Sequence, residues 1–264
     1  MKKSILIIIT SLAIVCGAGP AVHAQVIDPE LEALLDTLNP DDVVDVLVTL
    51  SDQVDLKVVK DKNKDKPKDE LRTVFITELK DKKDKTQKVI KDLLKGKAIK
   101  ITSLWIINGL AVTATKEVII ELADQPGIES IRLDDILVKS DSVSAGAGAP
   151  AGPPEWNLDT IRAPELWDLG HTGEGVVVAT MDTGVDANHP DLASRWRGGS
   201  NSWYDPSGEH ATPYDADGHG TQVMGVLVGG DAGGTTIGVS PGAQWIAVKM
   251  YNDAGSAPYS VIHL

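Results

Sequence analysis

The sequence contains a single cysteine, Cys16, among 264 residues. Because Cys16 lies in an apolar segment at the N-terminus, a chain cleaved after Ala24 would carry no cysteine. Disulfide bonds, thiol catalysis and cysteine-ligated metals are therefore excluded for the processed protein. Aromatic residues are also scarce, at 4%, whereas there are 25 glycines. This composition favours an α/β protein over a β-sandwich with an aromatic core.

Beyond the N-terminus, no stretch approaches the ~20 apolar residues that a transmembrane helix needs. Residues 1–24 are typical of a secretory signal peptide, with a positively charged start, a short apolar run and the cleavage pattern Val22-His23-Ala24. A lipoprotein signal around Cys16 is the alternative, although Val15 is bulky where a small residue is expected. We predict bacterial export to a secreted, extracellular location, with no membrane attachment after the signal is removed.

Basic residues are few in the second half of the chain. Residues 1–150 hold 21 Lys/Arg and 24 Asp/Glu, whereas residues 151–264 hold 4 and 14, which gives net charges of −3 and −10. The change indicates a boundary between two domains with different surfaces. Because phosphates are repelled by a surface of net charge −10, we predict no nucleic-acid partner.

The region from about 41 to 138 has the pattern of a small βαββαβ domain. Strands are predicted at 43–50, 99–107, 110–115 and 128–137, with helices at 67–96 and 115–123. Asn108-Gly109 predicts a two-residue hairpin turn, and the Lys/Asp-rich run 57–69 predicts a solvated loop. Trp105 is the single aromatic residue of these strands, so base stacking, and with it RNA binding, is excluded.

Residues 139–154 consist mostly of small residues and proline, which predicts a flexible linker that proteases can reach. From Trp156 onward, apolar strands alternate with helices and glycine-rich turns, as in α/β proteins. The β-branched run 176–181 predicts a strand buried on both faces of a parallel sheet. Asp182 follows at its carboxyl end, where sites form in such sheets. It can orient an imidazole; the alternative is that it caps the turn.

His219 begins a predicted helix in the segment Asp217-Gly218-His219-Gly220-Thr221. Asp217 is the expected helix cap, and Gly225 the expected point of close packing. The positive end of the helix dipole disfavours a charged imidazole, which suits a general base. A structural histidine is the alternative, but the flanking glycines let partner groups approach the ring.

Ser240 lies in Gly238-Val239-Ser240-Pro241-Gly242, which fits the G-x-S-x-G pattern of a nucleophile elbow. The elbow requires a strand before the serine and a helix after it. Here we predict the reverse order, and Pro241 has no N–H for an oxyanion, so Ser240 is excluded as nucleophile. No H-E-x-x-H occurs, and Asp215 to Gly218 lacks the glutamate of a calcium loop. No metal or cofactor is predicted.

Three blocks, at 173–192, 217–225 and 238–249, together resemble the subtilisin-like serine proteases, particularly the bacillopeptidase F-like group. The resemblance covers 156–264 and implies an endopeptidase that acts on proteins or peptides. It implies that Asp182 is the triad aspartate and that His219 is the general base and acid for a serine. Gln222 and Met224 differ from the usual H-G-T-x-V-A-G motif of the family.

The resemblance implies four regions: a signal peptide at 1–24, a ferredoxin-like propeptide at 25–138, a linker with the processing site at 139–154, and the first part of a subtilisin-like parallel-sheet α/β domain at 155–264. The propeptide would assist folding and block the cleft with its C-terminal tail, which makes the chain a zymogen.

The family's G-T-S-x-A-x-P segment does not occur in these residues, and neither Ser256 nor Ser260 has its context. We therefore expect a C-terminally truncated chain, in which 155–264 alone is poorly stable and inactive. The family often binds structural calcium, and Asp191 matches one family calcium position, but the 229–236 loop lacks the Asn-rich partner, so the sequence leaves calcium binding open. The alternative function is a secreted, non-catalytic protein that works through the inhibitor-like domain.

Overall fold

The computed structural model describes residues 26–138 and 154–264. The predicted signal peptide at 1–24 and nearly all of the predicted linker lie outside these residues. The chain divides into two compact units, the first running to Ser103 and including Ile107–Leu133, the second comprising Leu104–Ile106 and Asp134–Leu264. The division after Leu133 falls slightly before the domain end predicted at 138.

The first unit has the β-α-β-β-α-β order with two further helices. Its elements are α1 (Pro29–Thr37), β1 (Val43–Leu50), α2 (Leu56–Lys62), α3 (Lys68–Leu94), β2 (Lys100–Leu104), β3 (Gly109–Thr115), α4 (Lys116–Ala123) and β4 (Ile128–Leu133). The sheet order is β2-β3-β1-β4, and β1 is antiparallel to both β3 and β4. One apolar core joins the sheet to α1, α3 and α4. Helix α3 stays continuous through its polar middle because only its last turns are buried.

The hairpin forms, but its predicted two-residue turn is wrong. Strand β2 ends at Leu104, and the four residues Trp105–Asn108 connect it to β3. Asn108 takes the left-handed conformation (φ 39°). Gly109 already belongs to β3, where a Cβ would lie 2.5 Å from the Val48 carbonyl oxygen. Gly109 is thus needed because β3 lies too close to β1 for a side chain, and not because of the turn.

Two further predictions for this region are wrong. The charged run 57–69 is partly helical, since Asp55 accepts hydrogen bonds from the N–H groups of Lys57 and Val58 and so caps α2. The strand predicted over 128–137 breaks at Leu133, and Ile136–Val138 forms a separate strand, β5, within the second unit.

The second unit is a parallel-sheet α/β structure, as predicted. After β5 its elements are α5 (Trp156–Thr160), α6 (Ala163–Asp168), β6 (Val177–Asp182), α7 (Pro190–Ala193), β7 (Trp203–Tyr204), α8 (His219–Val228), β8 (Gln244–Lys249), β9 (Ser256–Pro258) and a 3-10 helix (Tyr259–His263). Strands β6, β8 and β7 form a parallel sheet in the order β6-β8-β7, and β5 pairs with β9. Trp245 of β8 is fully buried in a core with Met224 and Val228 of α8.

Strand β6 is not buried on both faces. Val177 and Met181 are 41% and 48% exposed, whereas Thr180, on the opposite face, is buried. Within the described part of the chain, β6 is an edge strand paired with β8 alone. One face therefore packs beneath α8 and carries Asp182, while the other is exposed among the described residues.

Candidate active site

The structure brings together the two residues singled out in the sequence. Asp182 is the last residue of β6, and His219 is the first residue of α8. Asp182 Oδ1 lies 2.7 Å from His219 Nδ1, and their side chains are 15% and 36% exposed. The carboxylate is therefore largely enclosed, while part of the imidazole stays open to solvent.

Close packing at the start of α8 makes this contact possible. A Cβ on Gly220 would lie 2.1 Å from the Gly184 carbonyl oxygen and 3.1 Å from Asp182 Cβ, so no side chain fits there. The close approach predicted at Gly225 is wrong, because a Cβ there would meet only Ile237 Cδ1, at 3.6 Å. The glycine next to His219 thus lets the helix reach the turn after β6.

Asp215, not Asp217, is the main cap of α8. Its Oδ2 accepts from the N–H of Thr221 at 2.9 Å and from the Thr221 hydroxyl at 2.6 Å. Its Oδ1 accepts from the N–H groups of Asp217 and Gly218, at 3.1 and 2.9 Å. Asp217 also accepts from the N–H of His219, at the longer distance of 3.3 Å. The sequence places Asp215 two residues before the expected cap, Asp217, but Asp215 was interpreted only as part of an incomplete calcium loop.

The Asp215 carboxylate is charged at neutral pH although it is half-buried. Burial alone would raise its pKa, but hydrogen bonds from Thr221, Gly218 and Thr183 outweigh burial and hold the pKa below its usual range. Asp215 therefore places a fixed negative charge at the N-terminal end of α8, where the helix dipole favours one.

Thr183 connects this cap to the Asp–His pair. Its hydroxyl donates to Asp215 Oδ1 at 2.9 Å and accepts from the N–H of Gly220 at 2.9 Å. Its own N–H donates to Asp182 Oδ1 at 2.7 Å. The oxygen that meets the imidazole is thus also held by the backbone. Sequence reasoning passed over Thr183 because a threonine after a strand has no distinctive spacing.

The three serines considered in the sequence do not have the setting of a nucleophile. Ser240 lies between α8 and β8, so a helix precedes it and a strand follows, as predicted, and its N–H donates to Leu227 O at 2.8 Å. The Ser260 hydroxyl donates to Asp134 Oδ2 at 2.6 Å in a buried position. The Ser256 hydroxyl lies 3.3 Å from Asn252 Oδ1.

The residues considered for metals are engaged with protein groups. Asp191 is buried, and its Oδ1 accepts from the N–H of Ala232 at 2.6 Å. Ligand atoms of Glu209, His210 and Asp253 lie within 4.8 Å of one another. However, Asp253 already contacts His210 Nε2 at 2.9 Å and Lys249 Nζ at 3.0 Å. Hydrogen bonds from His210 and Lys249 hold the pKa of Asp253 below its usual range.

A short antiparallel pair lies near the end of the described chain. In it Ile136, Leu137 and Val138 of β5 face Pro258, Ala257 and Ser256 of β9. Asp134 extends this contact, since its Oδ1 accepts from the N–H of Ser260 at 2.7 Å. Residues 134–138 are therefore held as an extended segment along β9.

A pocket of about 640 Å³ lies along α8, but its lining includes Trp156, Asp186 and Gln222 rather than Asp182 or His219. The hydrogen-bonded pair itself defines the candidate site. A parallel α/β sheet that presents an Asp–His pair at the carboxyl end of a strand has the framework of hydrolases that use an activated nucleophile.

The comparisons identify the family. Residues 173–263 match the model of the subtilase family. The chain is 37% identical over 215 residues to Bacillopeptidase F of Bacillus subtilis (strain 168), covering 72% of this chain and 15% of that protein. It is 39% identical over 106 residues to the Major intracellular serine protease of the same strain, covering 40% and 33%. It is 33% identical over 174 residues to Subtilisin E, also of that strain, covering 65% and 42%.

The chain belongs to the subtilisin-like serine protease family, which confirms the resemblance inferred from the three blocks. It spans less than half the length of each of these relatives. Among the described residues, no helix has both the length and the apolar character needed to cross a membrane.

Proposed function

We propose that this chain is part of the precursor of a secreted serine endopeptidase, in which Asp182 and His219 are two members of a catalytic triad. The 2.7 Å contact between Asp182 Oδ1 and His219 Nδ1 carries the proposal. The family supports the same reaction, hydrolysis of peptide bonds in proteins or peptides.

The proposal gives each group a role. When His219 Nδ1 donates its hydrogen to Asp182, Nε2 is left as the base that can take a proton from a serine hydroxyl. Asp182 then stabilises the imidazolium, which returns the proton to the leaving amine. Because Thr183 N–H also binds Asp182 Oδ1, the carboxylate keeps its orientation through the cycle.

The proposal places the nucleophile outside these 264 residues, since the family's G-T-S-x-A-x-P segment does not occur within them. Residues 1–264 by themselves are then unable to hydrolyse peptides. The complete product of the natural gene is the form to assay.

Substitution of His219 tests the catalytic role. In a casein or peptide assay of the complete product, we expect H219A to lower kcat by at least about 10³-fold. His171 is an exposed histidine that follows α6 and offers a matched control, H171A, that should retain activity. An H219A variant as active as H171A would contradict the proposal.

We further propose that residues 25–138 act as the propeptide. The first unit has its own core, and Ile136–Val138 forms a strand paired with β9. Addition of an extended peptide to a sheet edge is a common mode of peptide recognition. In this proposal 134–138 occupies that edge until cleavage within 139–154, and the signal peptide at 1–24 directs the zymogen out of the cell.

The alternative, a secreted non-catalytic protein that acts through its inhibitor-like domain, is also favoured by the β5–β9 pairing. A fragment of residues 25–145, mixed with a purified subtilisin at micromolar concentration, tests the inhibitor role that both share. Absence of inhibition would contradict it. Sequencing of the gene past the codon for Leu264 separates the two. A stop codon there, with no segment in any downstream frame that carries the family's serine, would favour the non-catalytic alternative.

A further inference from the structure

Lys249 is a buried cation at the site that the proposed reaction does not use. It is the last residue of β8, its side chain is 1% exposed, and it pairs directly with Asp182 in the parallel sheet. Burial of an ammonium group is costly unless every donor finds a partner. A neutral side chain at this position would avoid that cost, so the buried charge calls for an explanation.

The ammonium group has three acceptors, one for each of its hydrogens. Nζ donates to the carbonyl oxygens of Thr183 at 3.1 Å and Tyr251 at 2.9 Å. The third acceptor is Asp253 Oδ1 at 3.0 Å. Lys249 thus joins the segment after β6 to the segment after β8.

The Thr183 contact leads directly to the Asp–His pair. The same residue whose carbonyl binds Lys249 gives its N–H to Asp182 Oδ1 and receives the N–H of Gly220 on its hydroxyl. The Asp182 carbonyl is held from the same side, since it accepts the N–H of Met250 at 2.7 Å. The Asp182–Thr183 peptide and the Thr183–Gly184 peptide that follows it are therefore both fixed from the end of β8.

We propose that Lys249 is a positioning residue for the catalytic pair. It holds the carbonyl of Thr183, the residue whose N–H binds Asp182 Oδ1, so that Asp182 Oδ1 stays in hydrogen-bond range of His219 Nδ1. This inference rests on the proposed function only for its effect on catalysis, because the geometry it predicts can be measured without any activity.

The test is proton NMR of the full 264-residue chain. A hydrogen on His219 Nδ1 that is bonded to a carboxylate resonates far downfield, and its loss in H219A assigns it. We expect K249M to move this resonance upfield or to broaden it by exchange with water, and K249R to restore part of the shift. The control is K97M, which removes a lysine paired with Glu121 at 2.5 Å and should leave the resonance in place.

A folded K249M protein with an unmoved resonance would overturn the proposal, even if its melting temperature fell. If K249M does not fold, D253A decides, because Asp253 is 40% exposed and its replacement is tolerable. Alanine removes the third acceptor of the ammonium group, which should displace the resonance in the same direction, and an unmoved resonance in D253A would also overturn the proposal.

The complete gene product provides a second readout. Lys249 is buried and does not line the surface that meets substrate, so K249M should lower kcat by about 10- to 100-fold with little change in KM. Absence of any activity in the unsubstituted protein would contradict the proposed function. A normal kcat in K249M would contradict the positioning role of Lys249 and leave the proposed function intact.

Discussion

Replacement of Asp215 by asparagine tests whether this carboxylate organises the site. The asparagine side chain would keep one acceptor oxygen, but its amide nitrogen would face the N–H of Thr221, which now binds Asp215 Oδ2 at 2.9 Å. Loss of a helix cap costs about 0.5 to 2 kcal/mol, and a hydrogen bond to a charged group contributes about 1.5 to 3 kcal/mol. Because the site is half-buried, we expect D215N to lower the free energy of unfolding by about 2 kcal/mol.

Urea unfolding followed by tryptophan fluorescence measures this loss selectively. All six tryptophans lie in the second unit, so the signal reports the unit that contains Asp215. Asp205 offers a matched control, since its carboxylate also accepts backbone N–H groups, from Ser207, Gly208 and His210. That turn is not attached to α8, so D205N should cost less.

The pH dependence gives a second comparison. Because the folded state holds the pKa of Asp215 below its usual range, the unfolded chain takes up the proton first as the pH falls. The stabilisation is complete above the unfolded pKa of about 3.9 and is lost as the pH falls through the lower, folded value. D215N should therefore lose less stability than the unsubstituted protein below about pH 4. Equal costs for D215N and D205N, or an unchanged acid slope, would refute the reasoning.

Two other comparisons use pairs of neighbouring residues. G220A should strongly destabilise the second unit, because its Cβ would lie 2.1 Å from the Gly184 carbonyl oxygen. G225A is the control, since its Cβ would meet only an ordinary 3.6 Å contact and alanine has the higher helix propensity. Equal urea midpoints for the two variants would contradict this expectation. D134A removes two hydrogen bonds to Ser260, at 2.7 and 2.6 Å, and should lower the free energy of unfolding by about 1 to 3 kcal/mol and speed amide exchange at Ser260. D135A removes an exposed side chain and should leave that amide protected; equal exchange in both variants would argue against the Asp134 contact.

The sequence was most informative where function restricts several neighbouring residues at once. The blocks around Asp182 and His219 led to the α/β fold, the family and the two residues that the structure joins by a hydrogen bond. The family and the parallel-sheet fold are confirmed because a strand end and a helix start each have a local pattern that does not depend on the rest of the chain, whereas the catalytic roles of Asp182 and His219 stay predictions.

Predictions that depended on distant partners were less successful. The β-branched run of β6 is typical of a fully buried strand, yet its burial depends on neighbours that local sequence does not reveal. Gly109 suggested a turn, although its real constraint is Val48, on another strand. Lys249 was read only as part of a family block, because its three acceptors come from separate segments of the chain.

The contacts of Thr183 have a consequence for how the site opens. The amide hydrogens of Thr183, Gly220 and Thr221 bind Asp182 Oδ1, the Thr183 hydroxyl and Asp215 Oδ2. Each of these hydrogen bonds involves a residue that also makes another hydrogen bond of the network, so breaking one of them disturbs the others. The turn after β6 and the first turn of α8 should therefore open as one cooperative unit, with the three amides showing the same protection against hydrogen exchange.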